Sequence, residues 1–107
     1  MPLGSIEIIS GDGQVVSVTD GWARFAPLVV LYRNSAGDPT GDHEVQFACW
    51  NSPCQFEGFG GTSGLVRVKT DAEGRASAVA TTQVPGPIEI QAAAADAPPK
   101  VFNLTAR

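Results

Sequence analysis

Leu65-Val66-Arg67-Val68-Lys69-Thr70-Asp71-Ala72-Glu73-Gly74-Arg75-Ala76-Ser77-Ala78-Val79-Ala80 is the stretch that decides the fold class. Val66 and Val68 fall on one side of an extended backbone and Arg67 and Lys69 on the other, the alternation of a strand with one buried face. Asp71-Ala72-Glu73-Gly74 then reads as a turn, because glycine takes positive φ without steric cost and Asp bonds its own backbone. Ala76, Ala78 and Ala80 resume the alternation. A tight turn that requires its glycine fixes the register of the strands it joins. The stretch predicts strand, turn, strand.

The same period extends in both directions. Toward the N-terminus, Ile6-Glu7-Ile8-Ile9 ends at the turn cluster Ser10-Gly11-Asp12-Gly13, and Gln14 to Val18 reads as a short continuation strand. Phe25 to Tyr32 is the most apolar stretch, with Leu28, Val30 and Tyr32 on one face of a central strand. Pro27 lacks an amide proton and belongs at that strand's beginning. Asn34 to Gly41 is the longest turn signal, and Val45 and Phe47 follow it on an inner face. Phe56 marks a short strand, and Gly58-Phe59-Gly60-Gly61 a bend.

Toward the C-terminus, Ile88, Ile90 and Ala92 alternate with Glu89 and Gln91, and Val101 to Thr105 closes the chain with Phe102 and Leu104 facing in. Ala92 to Ala95 favours helix by propensity, but four residues do not nucleate one and Pro98-Pro99 stops it. Seven or more strands at intervals of roughly 8 to 12 residues predict an all-β sandwich, since two sheets must cover each other's apolar faces. A small barrel is the alternative.

Composition agrees and removes several function classes. The 107 residues suffice for one domain. A content of 43% hydrophobic and 17% charged residues is too apolar for disorder, and 12 Gly with 8 Pro interrupt any long helix. The net charge of -4, with Lys69 and Lys100 the only lysines and five scattered arginines, argues against a nucleic-acid partner. No apolar run approaches the ~20 residues that span a bilayer as a helix, so membrane insertion is not expected. Residues 1–5 read as a linker or cloning remnant, and residues 6–107 as the domain.

Taken in order, six segments resemble the bacterial immunoglobulin-like group 1 family, the repeat of invasin- and intimin-type surface proteins. They are Ser10-Gly11-Asp12-Gly13-Gln14, Phe25-Ala26-Pro27-Leu28-Val29-Val30, Gly37-Asp38-Pro39, Val45-Gln46-Phe47, Thr70 to Ala76, and Gly86-Pro87-Ile88-Glu89-Ile90-Gln91-Ala92. The most specific is Thr-Asp-x-x-Gly-x-Ala at Thr70 to Ala76. The resemblance implies an immunoglobulin-like Greek-key β-sandwich of two antiparallel sheets, one bead of a tandem stalk, with no catalytic residues to transfer. Two departures stand out. The family's Asp-x-Asn-Gly-Asn-Pro turn reads Asn34-Ser35-Ala36-Gly37-Asp38-Pro39 here, and the common repeat lacks Cys49-Trp50-Asn51-Ser52-Pro53-Cys54.

Cys49 and Cys54 are too near in sequence for the long inter-sheet bridge of antibody domains, and a staple across a hairpin is the reading that fits. Free thiols or a metal site are the alternatives, but Cys-x4-Cys is poor zinc spacing and a fourth ligand is not apparent beside His43. His43 between Asp42 and Glu44 superficially suggests an oriented general base; a solvated residue where a loop meets a strand is the simpler reading. The acids Asp12, Asp20, Asp38, Asp42, Asp71 and Glu73 fall in turns, where Asp needs no calcium to explain it. No cofactor and no metal are expected.

Trp22, Trp50 and Phe59 lie in or beside loops, where an exposed aromatic could stack on a sugar or anchor a protein contact, and where capping of the core is the plainer role. Trp50, inside the cysteine loop, is the first choice for a recognition residue. The functional expectation is a non-catalytic structural or spacer module of a bacterial surface or secreted adhesin-like protein, extracellular and monomeric, with neighbouring domains of a larger parent as partners. The alternatives are a module that binds a host or surface protein or glycan through its loop aromatics, and an accessory domain of a phage tail or secretion apparatus.

Overall fold

A computed structural model describes residues 4–49, 54–56 and 65–107. Among the described residues, eleven strands run in chain order: β1 (Ser5–Ser10), β2 (Val15–Val16), β3 (Ala23–Arg24), β4 (Leu28–Arg33), β5 (Glu44–Cys49), β6 (Cys54–Phe56), β7 (Leu65–Lys69), β8 (Arg75–Ala78), β9 (Ala80–Thr82), β10 (Gly86–Ala94) and β11 (Ala97–Ala106). No described residue is helical.

One layer is the five-stranded sheet β2-β11-β10-β5-β7. The other begins as β1-β4-β8 and is continued by β3-β9-β6. These two small sheets are one surface with a kink, for β9 follows β8 after a single residue, Val79, and the Phe25 N–H donates to the Ala80 carbonyl at 3.0 Å between the two registers. Pro27 lies in the break between β3 and β4, where no ladder donor is needed.

The alternating residues meet between the layers. Phe25, Leu28, Val30, Val45, Phe47, Ile90 and Phe102 are fully buried, with Phe47 packed at 6.5 Å from both Phe56 and Phe102 in tilted arrangements. Burial of these side chains stabilises by about 1.5–3 kcal/mol each, which makes them the main favourable term for the fold. Ala76, Ala78 and Ala80 are buried as well. On the outer side of edge strand β7, Arg67 and Lys69 stay exposed and blunt the edge against pairing with other chains.

Two details depart from the sequence reading. The turn at Asp71–Gly74 closes no hairpin: β7 belongs to the five-stranded sheet and β8 to the opposite layer, so it carries the chain across the sandwich. Asp71 Oδ1 accepts the amides of Glu73 and Arg75, and Gly74 sits at φ 81°. The last strand also starts earlier than Val101, taking in Pro98 and Pro99. The register between β10 and β11 slips between Ala92 and Ala94, and neither proline is a ladder partner there, so their missing amide protons cost no pairing.

Candidate functional site

Gly4 lies against the β10–β11 turn, and β11 ends at the opposite pole: Gly86 pairs with Ala106 there, while Ala94 pairs with Ala97 beside the turn. β11 alone covers about 30 Å of this path at the usual strand rise, and the longest dimension is 45 Å.

At the Gly4 pole, Asp96 holds three groups together. Its main-chain carbonyl accepts the Gly4 amide at 2.9 Å, its Oδ2 accepts the Tyr32 hydroxyl at 2.6 Å, and its Oδ1 lies 3.0 Å from His43 Nε2. The Tyr32 and His43 rings stack at 3.8 Å with their planes 3° apart. A side chain at residue 4 would meet the Tyr32 ring at 2.9 Å, which is why glycine stands there. His43 is fixed from behind by Thr70, whose hydroxyl accepts the His43 amide and donates to the Thr40 carbonyl.

The electrostatics follow from these contacts. Burial, then the bond to Asp96, pushes the Tyr32 phenol up to about 12. The Tyr32 hydrogen bond, helped by the charge on His43 and opposed by partial burial, holds the Asp96 carboxyl below the usual carboxylate range. Tyr32 therefore stays protonated and donating at neutral pH. His43 is half-buried and engaged by Asp96, 53 residues away in sequence, and not by its chain neighbours Asp42 and Glu44. Asp42 instead lies 3.6 Å from Lys69 and Glu44 3.7 Å from Arg67, exposed pairs that contribute little.

Away from Gly4, Cys49 and Cys54 are joined by a disulfide, with their Cα atoms 6.3 Å apart and Cys49 opposite Ile90, midway along β10. It is not a hairpin staple. Cys49 ends β5 in the five-stranded sheet and Cys54 begins β6 in the other layer, so the bridge ties the two layers at a corner. Beside it, Trp22 is 44% exposed at the end of a two-residue turn. Asp20 (φ 54°) and Gly21 (φ 85°) both take positive φ, and Thr19 and Trp22 exchange both backbone hydrogen bonds, at 2.7 and 3.1 Å. Trp50 and Phe59 lie outside the described residues.

Two of these features were not found from the sequence. The Tyr32–Asp96–His43 cluster leaves no local signature, since its members come from three separate elements. The turn that presents Trp22 does have one: Asp-Gly is the standard dipeptide for a two-residue turn with both φ values positive.

No protein-family model and no curated protein sequence matches the chain. Solved structures do match. The chain is similar to part of the C-terminal 282-residue fragment of intimin solved in complex with the translocated intimin receptor (Tir) intimin-binding domain, at TM-score 0.68 and 20% identity over 94% of this chain and 32% of that one. It is similar to part of a glycosyl hydrolase family 2 member from Bacteroides cellulosilyticus, at TM-score 0.69 and 19% identity over 98% of this chain and 14% of that one. It also resembles the D0-D1 domain of intimin, at TM-score 0.55 and 20% identity over 92% of this chain and 45% of that one. The chain spans less than half of each of these proteins. At such identities the likeness establishes the fold, an immunoglobulin-like β-sandwich.

Proposed function

We propose that this domain is a non-catalytic structural module of a bacterial surface or secreted adhesin-like protein, which holds distance and carries tension between its neighbours. The observation that supports this most strongly is how the path through the fold would meet a pulling force. Force applied at Gly4 and Arg107 acts at opposite ends of β11. β2 and β11 run parallel, with Val15 opposite Thr105 and Val16 opposite Ala106. Such a force drags β2 toward the Gly4 pole, through β1, while it drags β11 the other way.

Hydrogen bonds between these segments are then loaded together, in shear. They run from the Gly13 amide to the Asn103 carbonyl (3.0 Å), from the Thr105 amide to the Gln14 carbonyl (2.9 Å), from the Arg107 amide to the Val16 carbonyl (3.0 Å) and from the Val18 amide to the Arg107 carbonyl (2.8 Å). The Asn103 amide adds a fifth, to Asp12 Oδ1 at 2.8 Å. Bonds loaded in parallel must fail together, whereas bonds at the end of an unzipping ladder fail in turn. The Asp96 clasp holds Gly4 in place, and the disulfide ties the two layers between the poles.

Single-molecule pulling from the two ends tests this reading. Val18→Pro removes the amide that donates to the Arg107 carbonyl, and the account expects its rupture force to fall below that of the wild type. An unchanged rupture force in a folded Val18→Pro protein would count against a load-bearing role.

A further inference from the structure

We propose that the groove beside Trp22 is a binding site for a neutral saccharide, which goes beyond the spacer role and does not depend on it. The groove, about 280 Å³, is lined by Trp22, Gln55, Thr81, Thr82, Gln83 and Val84, with Cys54 at its base. Its volume is near the lower end for small-ligand sites, room for one or two sugar rings.

Three observations identify the ligand class. First, Trp22 and Val84 are 44% and 50% exposed, so a flat aromatic face and an aliphatic neighbour are both open to a ligand. Second, the polar lining consists of amides and hydroxyls. Neither the Gln55 nor the Gln83 side chain is engaged by a described residue, and each amide offers both a donor and an acceptor, the complement of paired sugar hydroxyls. Third, none of the described residues that line the groove has a titratable side chain. A nucleotide could also stack on Trp22, but among the described residues the lining offers no cation for its phosphates. An acidic sugar fails for the same reason.

The site is also rigid, which matters for a weak ligand. The Asp20-Gly21 turn fixes the Trp22 backbone through two hydrogen bonds, and the Cys49–Cys54 bridge holds the β6 wall that carries Gln55. Little ordering entropy is lost on binding to such a wall. Ring stacking supplies affinity, and the two amides set which hydroxyl pattern is accepted.

The test is a two-dimensional 1H–15N titration of the intact 107-residue protein with cellohexaose, xylohexaose, mannohexaose and β-1,4-galactohexaose, with heparin and polygalacturonate as charged controls. The expected result is saturable shifts of the Trp22 indole and the Gln55 and Gln83 amides with at least one neutral hexasaccharide, with Kd of about 1 mM or tighter. Trp22→Ala should weaken that binding at least about tenfold, the range for losing a stacking anchor. Trp22 lies outside the core, so an unchanged melting temperature will verify that the variant is folded. Absence of saturable binding to all four neutral sugars overturns the proposal. So does binding that survives Trp22→Ala, or preference for the charged polymers.

Discussion

Replacing Tyr32 by Phe isolates the hydroxyl that binds Asp96, because the ring stacked on His43 and buried in the core is kept. A hydrogen bond to a charged group contributes about 1.5–3 kcal/mol, and here the half-exposed Asp96 carboxylate regains water when the hydroxyl goes, so the expected loss at pH 7 is about 1–1.5 kcal/mol. The effect must then change with pH. Tyr32 titrates near 10 when unfolded and at about 12 when folded. A pKa raised by folding contributes stability that is intact below the unfolded value and is lost as pH rises toward the folded one.

At pH 11 the unfolded phenol is about nine-tenths ionised and the folded one about one-tenth, which takes about 1.4 kcal/mol from the wild type. Tyr32→Phe has no such group. Lysines and arginines titrate alike in both proteins and cancel in the difference. Urea unfolding followed by circular dichroism at pH 7, 9, 10 and 11 should show the wild type more stable at pH 7, with the gap closing to nearly zero by about pH 11. A gap that stays the same across this range would refute the assignment of a buried, Asp96-bound Tyr32.

Other perturbations probe the remaining features. Opening the Cys49–Cys54 bridge should cost about 2 kcal/mol by chain entropy, a drop of about 10 °C in Tm. Calorimetry of the wild type with and without reductant checks this, and a Cys49→Ala/Cys54→Ala variant should be insensitive to reductant. Gly74→Ala should cost about 2–4 kcal/mol, since its new methyl would meet the Tyr32 carbonyl at 2.8 Å and the Thr40 amide at 2.9 Å at φ 81°. Gly37→Ala, at φ 86° with no atom within 4 Å, should cost only about 1–2 kcal/mol. Urea midpoints of the two variants measure the difference.

Much of the fold was legible because a half-buried strand announces itself every second residue. Leu28, Val30, Tyr32, Val45, Phe47, Ile88, Ile90 and Ala92 all face the core as their alternation implied. What alternation cannot tell is which layer a strand joins. Leu65–Lys69 and Arg75–Ala78 look like a hairpin, as do the strands around Cys49 and Cys54, yet both connections cross between layers. Turn residues specify a local reversal of the chain and leave the pairing partner open. Pro98 and Pro99 hid the start of the last strand, because a bulge tolerates what a regular ladder would not.

The site was less legible for a different reason. His43 took its meaning from Asp96 and Tyr32, which only the fold brings together, while its acidic chain neighbours suggested the wrong partners. Trp22 could be singled out from the sequence, but what makes it a rigid platform is the turn beneath it. The short parallel contact of β2 and β11 pairs residues about 90 positions apart and is too brief to carry any periodic signal.

The load-bearing claim is tested most directly by pulling the same protein in two directions. With handles at residues 4 and 107, the β2–β11 bonds are loaded in shear; with one handle moved to the exposed residue Pro85, β10 is peeled from β11 from the end where Gly86 pairs with Ala106. Equilibrium stability is nearly the same for both, so only the geometry of loading differs. The account predicts a clearly higher rupture force for the end-to-end direction, and equal forces, or a lower one end to end, would contradict it.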